Sequence, residues 1–358
     1  MTRDYSQFVA SAPSDEAPVG PANALERLGW KPFFAQQLSL EDLAWGVPAR
    51  VVAMHRGAIH LLGDGLDVLI PPPADVAVGD WLLYHRDLPA SSRLLERQSL
   101  FKRRAAGTGR EMQLIAANID TVFITTSCNQ DFNIARLERY VALAFEAEVD
   151  PVILLTKADL NPEADRLADE AARISSRVPV LALNAKGGEV KTVLAPWCRP
   201  GQTVAFLGSS GVGKSTLVNA LSGANSIATQ AIREDDGKGR HTTTHRQLHV
   251  LAGGYTVVDT PGMREVQLAE AEHGIAEVFE DIEELAATCR FRDCRHDTEP
   301  GCAIRAALEA GQLEPVRLER WRKLVQEVRF NAASLQERRT MDRAFGKMVR
   351  TTLAHKKR

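Results

Sequence analysis

The sequence lacks long apolar runs, a strong net charge and an abundance of aromatic residues. No segment approaches the roughly eighteen consecutive apolar residues of a membrane-spanning helix. The net charge of −2 argues against a protein that coats nucleic acid without specificity. Aromatic residues make up 6% of the 358 residues, too few for broad surfaces that stack unpaired bases. We therefore expect neither a membrane protein nor a general nucleic-acid coat.

The amino terminus also lacks an apolar targeting segment. Residues 1–21 are rich in Pro, Ala, Ser and Glu, a composition typical of disorder. We expect residues 1–44 to form a partly disordered extension. With five cysteines and no targeting signal, a disulfide framework is not expected. The sequence therefore predicts a soluble cytoplasmic protein, with Cys128 and Cys198 as reduced thiols.

A glycine-rich stretch at residues 208–215 is typical of a phosphate-binding loop. It fits the pattern GxxxxGK[ST] and lies between a short apolar strand, residues 204–207, and the start of a helix. Backbone N–H groups at such a helix N-terminus bind phosphate oxygens. The alternative is a glycine-rich turn with a lysine nearby. The candidate phosphate ligands are Gly208, Ser209, Ser210, Gly211, Val212, Gly213, Lys214, Ser215 and Thr216.

A second phosphate and metal element follows downstream. Val257 and Val258 predict a strand that ends at Asp259, before a Thr-Pro-Gly turn. The carboxylate of Asp259 suits Mg²⁺, which prefers oxygen ligands, and Ser215 is a further candidate ligand. Gly262 can offer its backbone N–H to a γ-phosphate without steric obstruction. Alone, this motif would be an ordinary strand-to-turn signal.

The polar segment at residues 235–245 lies between these two elements. We expect it to become ordered when a γ-phosphate and Mg²⁺ hold it. One threonine of the run 242–244 is expected to give its hydroxyl to the metal, and Thr243 is the candidate. The alternative is a surface loop that leads into the next strand.

Two elements suited to a purine base precede the phosphate loop. An apolar strand at residues 151–155 leads into Thr156, Lys157 and Asp159. The Asp159 carboxylate can accept hydrogen bonds from guanine N1–H and the exocyclic amino group, and adenine has no donors there. The stem of Lys157 can lie across the base.

The second base element follows the predicted strand at residues 178–183. Backbone N–H groups there could contact guanine O6. The candidate residues are Asn184, Ala185 and Lys186. Each base motif alone is weak, because similar sequences occur in helix caps. Together, at the ends of two predicted strands, they indicate guanine.

Three cysteines and a histidine near the carboxyl terminus have the spacing of a metal site. Cys289, Cys294, His296 and Cys302 supply three thiolates and one imidazole, a closed tetrahedral set typical of structural zinc. A disulfide pair or plain buried cysteines are the alternatives.

The motif order is base element, second base element, phosphate loop, polar segment and Asp-Thr-Pro-Gly. Common GTPases begin with the phosphate loop and end with the base elements. The sequence therefore resembles the circularly permuted GTPases, and specifically the ribosome small-subunit-dependent GTPase A family, over about residues 45–330. Residues 290–293, 297–301 and 113–120 are also similar to that family.

This resemblance implies a multidomain protein. Its parts would be an N-terminal β-barrel (OB-fold) at residues 45–110, a central α/β P-loop GTPase domain with circularly permuted motif order at 111–275, and a C-terminal, mainly α zinc-binding domain with a basic tail at 276–358. The implied activity is hydrolysis of GTP to GDP and phosphate, stimulated by the 30S ribosomal subunit during its late maturation, with binding to 16S rRNA. A monomer is expected.

The resemblance also implies a catalytic role for His241, which precedes the threonine run. A solvated loop histidine is the alternative. Met263 stands where many GTPases have a water-positioning Gln, so intrinsic hydrolysis should be slow. Thr156 replaces the usual Asn, and its shorter hydroxyl would hold the loop less firmly.

Composition supports this division of the chain. Short predicted strands at residues 50–54, 58–62, 67–70 and 80–84 are separated by Gly, Asp and Pro, as in small barrels. Such a barrel would bind nucleic acid on one face or serve a structural role only. Residues 331–358 hold eight basic and two acidic residues and would attract RNA, or form a solvated helix end.

Two other functions stay open. One is a GTP-binding, RNA-interacting module with negligible turnover, which Met263 favours. The other is a P-loop ATPase, against which Asp159 argues.

Overall fold

The structure is a computed structural model that describes residues 23–55, 57–104, 112–222, 246–259 and 271–332. His241, Thr243 and Gly262 lie outside these residues. The strands are β1 (Gly46–His55), β2 (Ala58–Gly63), β3 (Leu66–Ile70), β4 (Trp81–His85), β5 (Arg93–Leu94), β6 (Leu100–Arg104), β7 (Met112–Ala117), β8 (Thr121–Ser127), β9 (Asp150–Thr156), β10 (Val180–Ala182), β11 (Thr203–Leu207), β12 (Arg246–Val250) and β13 (Thr256–Asp259). The α-helices are α1 (Ala24–Arg27), α2 (Pro32–Ala35), α3 (Leu40–Trp45), α4 (Ile134–Glu146), α5 (Ala164–Ala172), α6 (Val190–Leu194), α7 (Lys214–Ser222), α8 (Glu272–Val278), α9 (Glu280–Ala287), α10 (Ala303–Glu309) and α11 (Pro315–Ala332).

A parallel sheet in the order β10-β9-β8-β11-β13 forms the centre of the fold. The sequences of β8 and β9 are near-continuous runs of buried residues, as expected for strands covered on both faces. β12 adds to β13 in the antiparallel direction. The described chain therefore has the predicted α/β architecture in its centre.

Helices between the strands set the direction of the sheet. α4 joins β8 to β9, and its N-cap Asn133 accepts a hydrogen bond from the backbone N–H of Arg136 at 2.9 Å. That cap satisfies an otherwise unpaired N–H group and fixes the start of the helix. α5 joins β9 to β10. Because such crossovers keep the strands parallel, the carboxyl ends of β8, β9, β10 and β11 meet at one edge of the sheet.

The amino-terminal strands continue this sheet. β1 pairs with β2 along most of its length, with β4 through residues 46–50 and with β12 at Ala53 and Met54. β2 pairs with β3, and β4 pairs with β5. Among the described strands, no pairing between β3 and β5 closes this group into a barrel.

A buried arginine connects the amino-terminal strands with the parallel sheet. Arg50 on β1 is 1% exposed. Its guanidinium donates to Gly79 O at 3.1 Å, Thr203 Oγ1 at 2.9 Å and Asn118 O at 3.0 Å, and also to Leu28 O. Burial lowers the pKa of Arg50 to about 10, although Asp120 and Asp80 oppose the shift. The side chain therefore stays charged at neutral pH and joins four separate backbone segments.

Contacts divide the chain into two compact units, Met1–Lys102 with Leu114–Val266, and Arg103–Gln113 with Gln267–Arg358. The second unit is mainly helical in its described part. Arg317 on α11 holds the Asp281 carboxylate of α9 with two hydrogen bonds of 2.7 and 2.8 Å, and its guanidinium lies 4.9 Å from the Phe279 ring centroid. The predicted domain boundaries stay predictions.

In the part of the chain that the structure describes, no helix combines the length and apolar character needed to cross a membrane.

Candidate nucleotide site and metal centre

The predicted phosphate loop lies between β11 and α7, as the sequence pattern requires. Gly208 and Gly213 adopt positive φ angles of 148° and 101°, which L-residues with a side chain rarely adopt. A Cβ atom at Gly208 would lie 2.1 Å from Thr125 O. Glycine is therefore needed at 208 both for the backbone angle and for the close approach of β8.

Lys214 begins α7, at the end of the loop. Its Nζ donates to Gly208 O at 2.9 Å and also to Ser209 O. The lysine thus folds back over the loop that precedes it. Ser210, Gly211 and Ser215 are exposed on the same loop and first helical turn.

The first base element contacts the phosphate loop directly. Thr156 is fully buried, and its Oγ1 lies 2.6 Å from Val212 O and 3.2 Å from Thr126 O. The next residue, Lys157, has a left-handed backbone with φ 58°, and its Nζ donates to Gly211 O at 3.1 Å. The Thr156 hydroxyl reaches the loop despite its short side chain.

The two base elements lie next to each other. Leu183 N donates to Leu155 O at 2.9 Å, and Ala158 N donates to Leu183 O at 3.4 Å. Beyond Leu183, the Asn184 side chain accepts from Lys186 N at 2.9 Å and closes the turn. The sequence order of these elements therefore does not prevent them from meeting at one edge of the sheet.

Asp159 lies in the short turn after Lys157 and is exposed. Its carboxylate has no hydrogen-bond or ion-pair partner among the described residues. A carboxylate of this kind keeps all its acceptor positions for a ligand.

Asp259 ends β13, and β13 runs parallel to β11. The backbone of Asp259 therefore follows the same carboxyl edge from which the phosphate loop departs. His241, Thr243 and Gly262 lie outside the described residues, and their roles stay predictions.

The four predicted metal ligands converge in the second unit. One ligand atom from each of Cys289, Cys294, His296 and Cys302 lies within 4.8 Å of the others. His296 Nδ1 is 3.6 Å from Cys289 Sγ and 3.5 Å from Cys302 Sγ, and these two sulfurs are 4.0 Å apart. Such separations fit sulfur and nitrogen atoms around one tetrahedral metal, whose bonds are about 2.0–2.3 Å long. A disulfide needs sulfurs at about 2.05 Å, and all these cysteines are free thiols.

The surroundings favour the metal-binding form of some residues of this cluster but not of all, because burial raises the pKa of the Cys294 thiol to about 11. Burial and the nearby Arg322 lower the pKa of His296, so the ring is neutral, as a metal ligand must be. The backbone N–H of Ala303 donates to Cys289 Sγ at 3.4 Å. The donor set therefore fits Zn²⁺.

Sequence reasoning missed the role of the β8 end. Thr125, Thr126 and Ser127 are all buried, and Thr125 and Thr126 supply the carbonyl groups beside Gly208 and Thr156. The sequence carried no signal for this role, because backbone carbonyl groups supply it and every residue type has one. The three hydroxyls bond locally instead, to Phe123 O, Asp131 O and Asn129 Oδ1.

Comparisons with known proteins agree with this geometry. The fold matches two solved structures, each over 79% of this chain. One is YjeQ from Thermotoga maritima, with TM-score 0.57, 25% identity and 98% of that chain covered. The other is YloQ, described as a circularly permuted GTPase, with TM-score 0.53, 21% identity and 95% covered. The fold is that of the circularly permuted GTPases.

Sequence comparison then gives the particular family. The family model described as RsgA GTPase matches residues 94–269. The small ribosomal subunit biogenesis GTPase RsgA 2 of Vibrio parahaemolyticus is 49% identical over 344 residues, which cover 95% of this chain and 96% of the relative. The chain belongs to the RsgA family of GTPases, which confirms the resemblance found in the sequence.

Proposed function

We propose that this protein is a GTP-dependent switch in the late maturation of the small ribosomal subunit. It hydrolyses GTP to GDP and phosphate, and the 30S subunit stimulates it. The hydrogen bonds from Thr156 and Lys157 to the phosphate loop carry this proposal. They hold residues 156–157 against residues 211–212, which supports a single nucleotide in contact with both segments.

Each motif then has a defined task. Backbone N–H groups of residues 208–213 and the Lys214 ammonium bind phosphate oxygens. Asp159 accepts the N1–H and amino protons of guanine, and residues 184–186 meet O6. Ser215, Thr243 and Asp259 would hold Mg²⁺, which neutralises phosphate charge when bound.

Hydrolysis depends on a group that can orient water. The thioether of Met263 offers no strong donor or acceptor for that task. His241 precedes the switch threonines and is our candidate for it. Because His241 belongs to the segment expected to become ordered with GTP, contact with the 30S subunit would complete the site and raise turnover.

The zinc module supplies a surface for rRNA. Between the first two ligands, Arg290, Phe291 and Arg292 are exposed, and the Arg290 guanidinium lies 5.5 Å from the Phe291 ring centroid. Exposed arginine and aromatic groups bind phosphates and unpaired bases respectively. We propose that one structural Zn²⁺ holds this loop in place for contact with 16S rRNA.

The strands β1–β5 are proposed to form an OB-type RNA-binding module. The pairing of β1 with both β2 and β4 supports this assignment. The protein is proposed to act as a cytoplasmic monomer.

The decisive experiment is GTP turnover with and without 30S subunits, for wild type and His241→Ala. We expect slow turnover alone, strong stimulation by 30S and loss of that stimulation in the variant. His273→Ala, an exposed histidine on α8, is the matched control and should behave as wild type. If 30S subunits still stimulate the His241→Ala variant, the catalytic role of His241 is contradicted. If they do not stimulate the wild type, the proposed function is contradicted.

A further inference from the structure

A cavity of about 270 Å³ opens at the edge of the sheet opposite the nucleotide site. Thr121 and Asp150, the first residues of β8 and β9, line it, as does Gln202 immediately before β11. The phosphate loop follows the carboxyl ends of the same strands. Since a strand rises about 3.3 Å per residue, the seven residues of β8 separate the two sites by about 20 Å.

Aromatic rings and arginines form much of the cavity wall. Phe145 at the end of α4 and Trp197 after α6 supply the rings, and Arg177 and Arg199 supply the cations. The Arg177 guanidinium lies 5.2 Å from the Phe145 ring centroid. The Trp197 ring packs edge-on against Phe123 of the core, with centroids 6.3 Å apart. The core therefore holds the Trp197 ring in position, and Arg177 contacts the Phe145 ring.

Arg199 is the group that points to a ligand. Its side chain is half-buried in the cavity wall and has no hydrogen-bond or ion-pair partner among the described residues. A half-buried guanidinium with all five N–H donors available suits a phosphate or carboxylate, which it can bind through two parallel hydrogen bonds.

One more charged group and the size of the cavity bear on which ligands it can bind. Asp150 contributes a carboxylate to the same cavity and interacts with the Arg177 charge. Arg177 is therefore partly neutralised, and Arg199 supplies the larger attraction for an anion. The volume is slightly below the range of about 300–1,000 Å³ typical of sites for drug-sized ligands. It suits one ring with one anionic group.

We propose that this cavity is a second ligand site, which binds a small molecule consisting of a single ring that carries a phosphate. The phosphate contacts Arg199 and Arg177, and the ring lies against Phe145. The site is spatially separate from the candidate nucleotide site, because its wall contains none of the candidate phosphate- or guanine-binding residues.

Phenyl phosphate is a suitable probe, titrated calorimetrically into protein saturated with GDP and Mg²⁺ so that the phosphate loop is already occupied. We expect saturable binding of one molecule per chain. Arg199→Gln should weaken it about tenfold or more, since one charge-assisted bidentate contact is lost. Arg199→Lys should retain part of the affinity, and Arg177→Gln is a second, independent test.

Arg173→Gln is the matched control, an exposed arginine on the same domain outside the cavity. It should bind phenyl phosphate as wild type does, and GDP binding should be unchanged in every variant. Binding that is absent, or that is equally strong in wild type, Arg199→Gln and Arg177→Gln, would overturn the proposal. Inorganic phosphate that binds as tightly as phenyl phosphate would exclude the ring contact. None of these results depends on GTP turnover or on the 30S subunit.

Discussion

At the residue scale, the buried hydroxyl of Thr156 connects the segments of the candidate nucleotide site. Thr156 is enclosed between β8 and the phosphate loop, and its hydroxyl faces two carbonyl oxygens, Thr126 O and Val212 O. A hydroxyl in such a place stabilises the loop conformation, because a buried carbonyl without a donor is costly.

Thr156→Val removes this hydroxyl at almost constant volume. We expect a loss of about 1 kcal/mol of folding free energy and weaker GDP binding, because Val212 O loses its donor and the loop its anchor. Urea unfolding and GDP titration would measure both. Thr192→Val on the exposed face of α6 should change neither, and unaltered GDP affinity in Thr156→Val would contradict this role.

Asp159→Asn tests the base reader. The amide oxygen of Asn can still accept from guanine N1–H, but the amide N–H group meets the exocyclic amino group, which also donates. Xanthine has an acceptor carbonyl in place of that amino group. We expect GTP binding to weaken by about two orders of magnitude and xanthosine triphosphate to become the preferred nucleotide, as measured by competition. The exposed helix residue Asp165→Asn is the control. Undiminished GTP preference in Asp159→Asn would mean that another group reads the base.

At the element scale, the sequence was most informative where chemistry depends on local spacing. The loop at 208–215 and the four cluster residues at 289–302 follow short patterns, and the structure places both as expected. Contacts between distant segments were not predictable. The bond from Thr156 to Val212 and the pairing of β1 with β12 depend on how strands meet, which short patterns do not encode. The cavity also depends on strand ends that are far apart in sequence.

The role of Arg50 was also not predictable from the sequence, because it depends on contacts between distant segments. A charged residue in a strand suggests a solvent-facing position, yet Arg50 is buried and joins four backbone segments. Arg50→Met leaves their acceptors unsatisfied, so we expect a loss of about 3–5 kcal/mol in unfolding free energy, measured in urea. Arg93→Met, which removes an exposed ion pair with Asp42, should cause no comparable loss. Equal effects of the two changes would contradict the account of this junction.

The cluster of Cys289, Cys294, His296 and Cys302 is a second feature at the element scale, and it could hold one metal ion. We expect one zinc per purified chain, measured by elemental analysis, and a lower melting temperature after chelation, because metal binding is coupled to folding in small modules. Cys294→Ser should reduce the zinc content, whereas Cys198→Ala, outside the cluster, should not. Full zinc content in Cys294→Ser would exclude Cys294 as a ligand.

At the scale of the whole molecule, the permuted order connects the switch to the zinc module. Fewer than thirty residues separate Gly262 from Cys289. We propose that a change in the Asp-Thr-Pro-Gly turn on hydrolysis affects the proposed rRNA-binding module through this short stretch of chain. We expect tighter 30S binding with a non-hydrolysable GTP analogue than with GDP, measured by co-sedimentation over a range of concentrations. Equal dissociation constants in the two states would remove this coupling.

One nucleotide can contact all of these segments, although their order in the chain is the reverse of the order in common GTPases. The base elements end β9 and β10, the phosphate loop follows β11, and all three strands are parallel in one sheet. Sheet position, rather than chain order, brings these groups together.

The most direct test of this account is a crystal structure of the protein with GDP and Mg²⁺. It should show the Asp159 carboxylate at hydrogen-bond distance, about 2.7–3.2 Å, from guanine N1 and the exocyclic amino nitrogen, with Lys214 Nζ on the β-phosphate of the same nucleotide. Electron density that places the guanine ring away from Asp159 while the phosphates occupy the 208–215 loop would contradict the central claim.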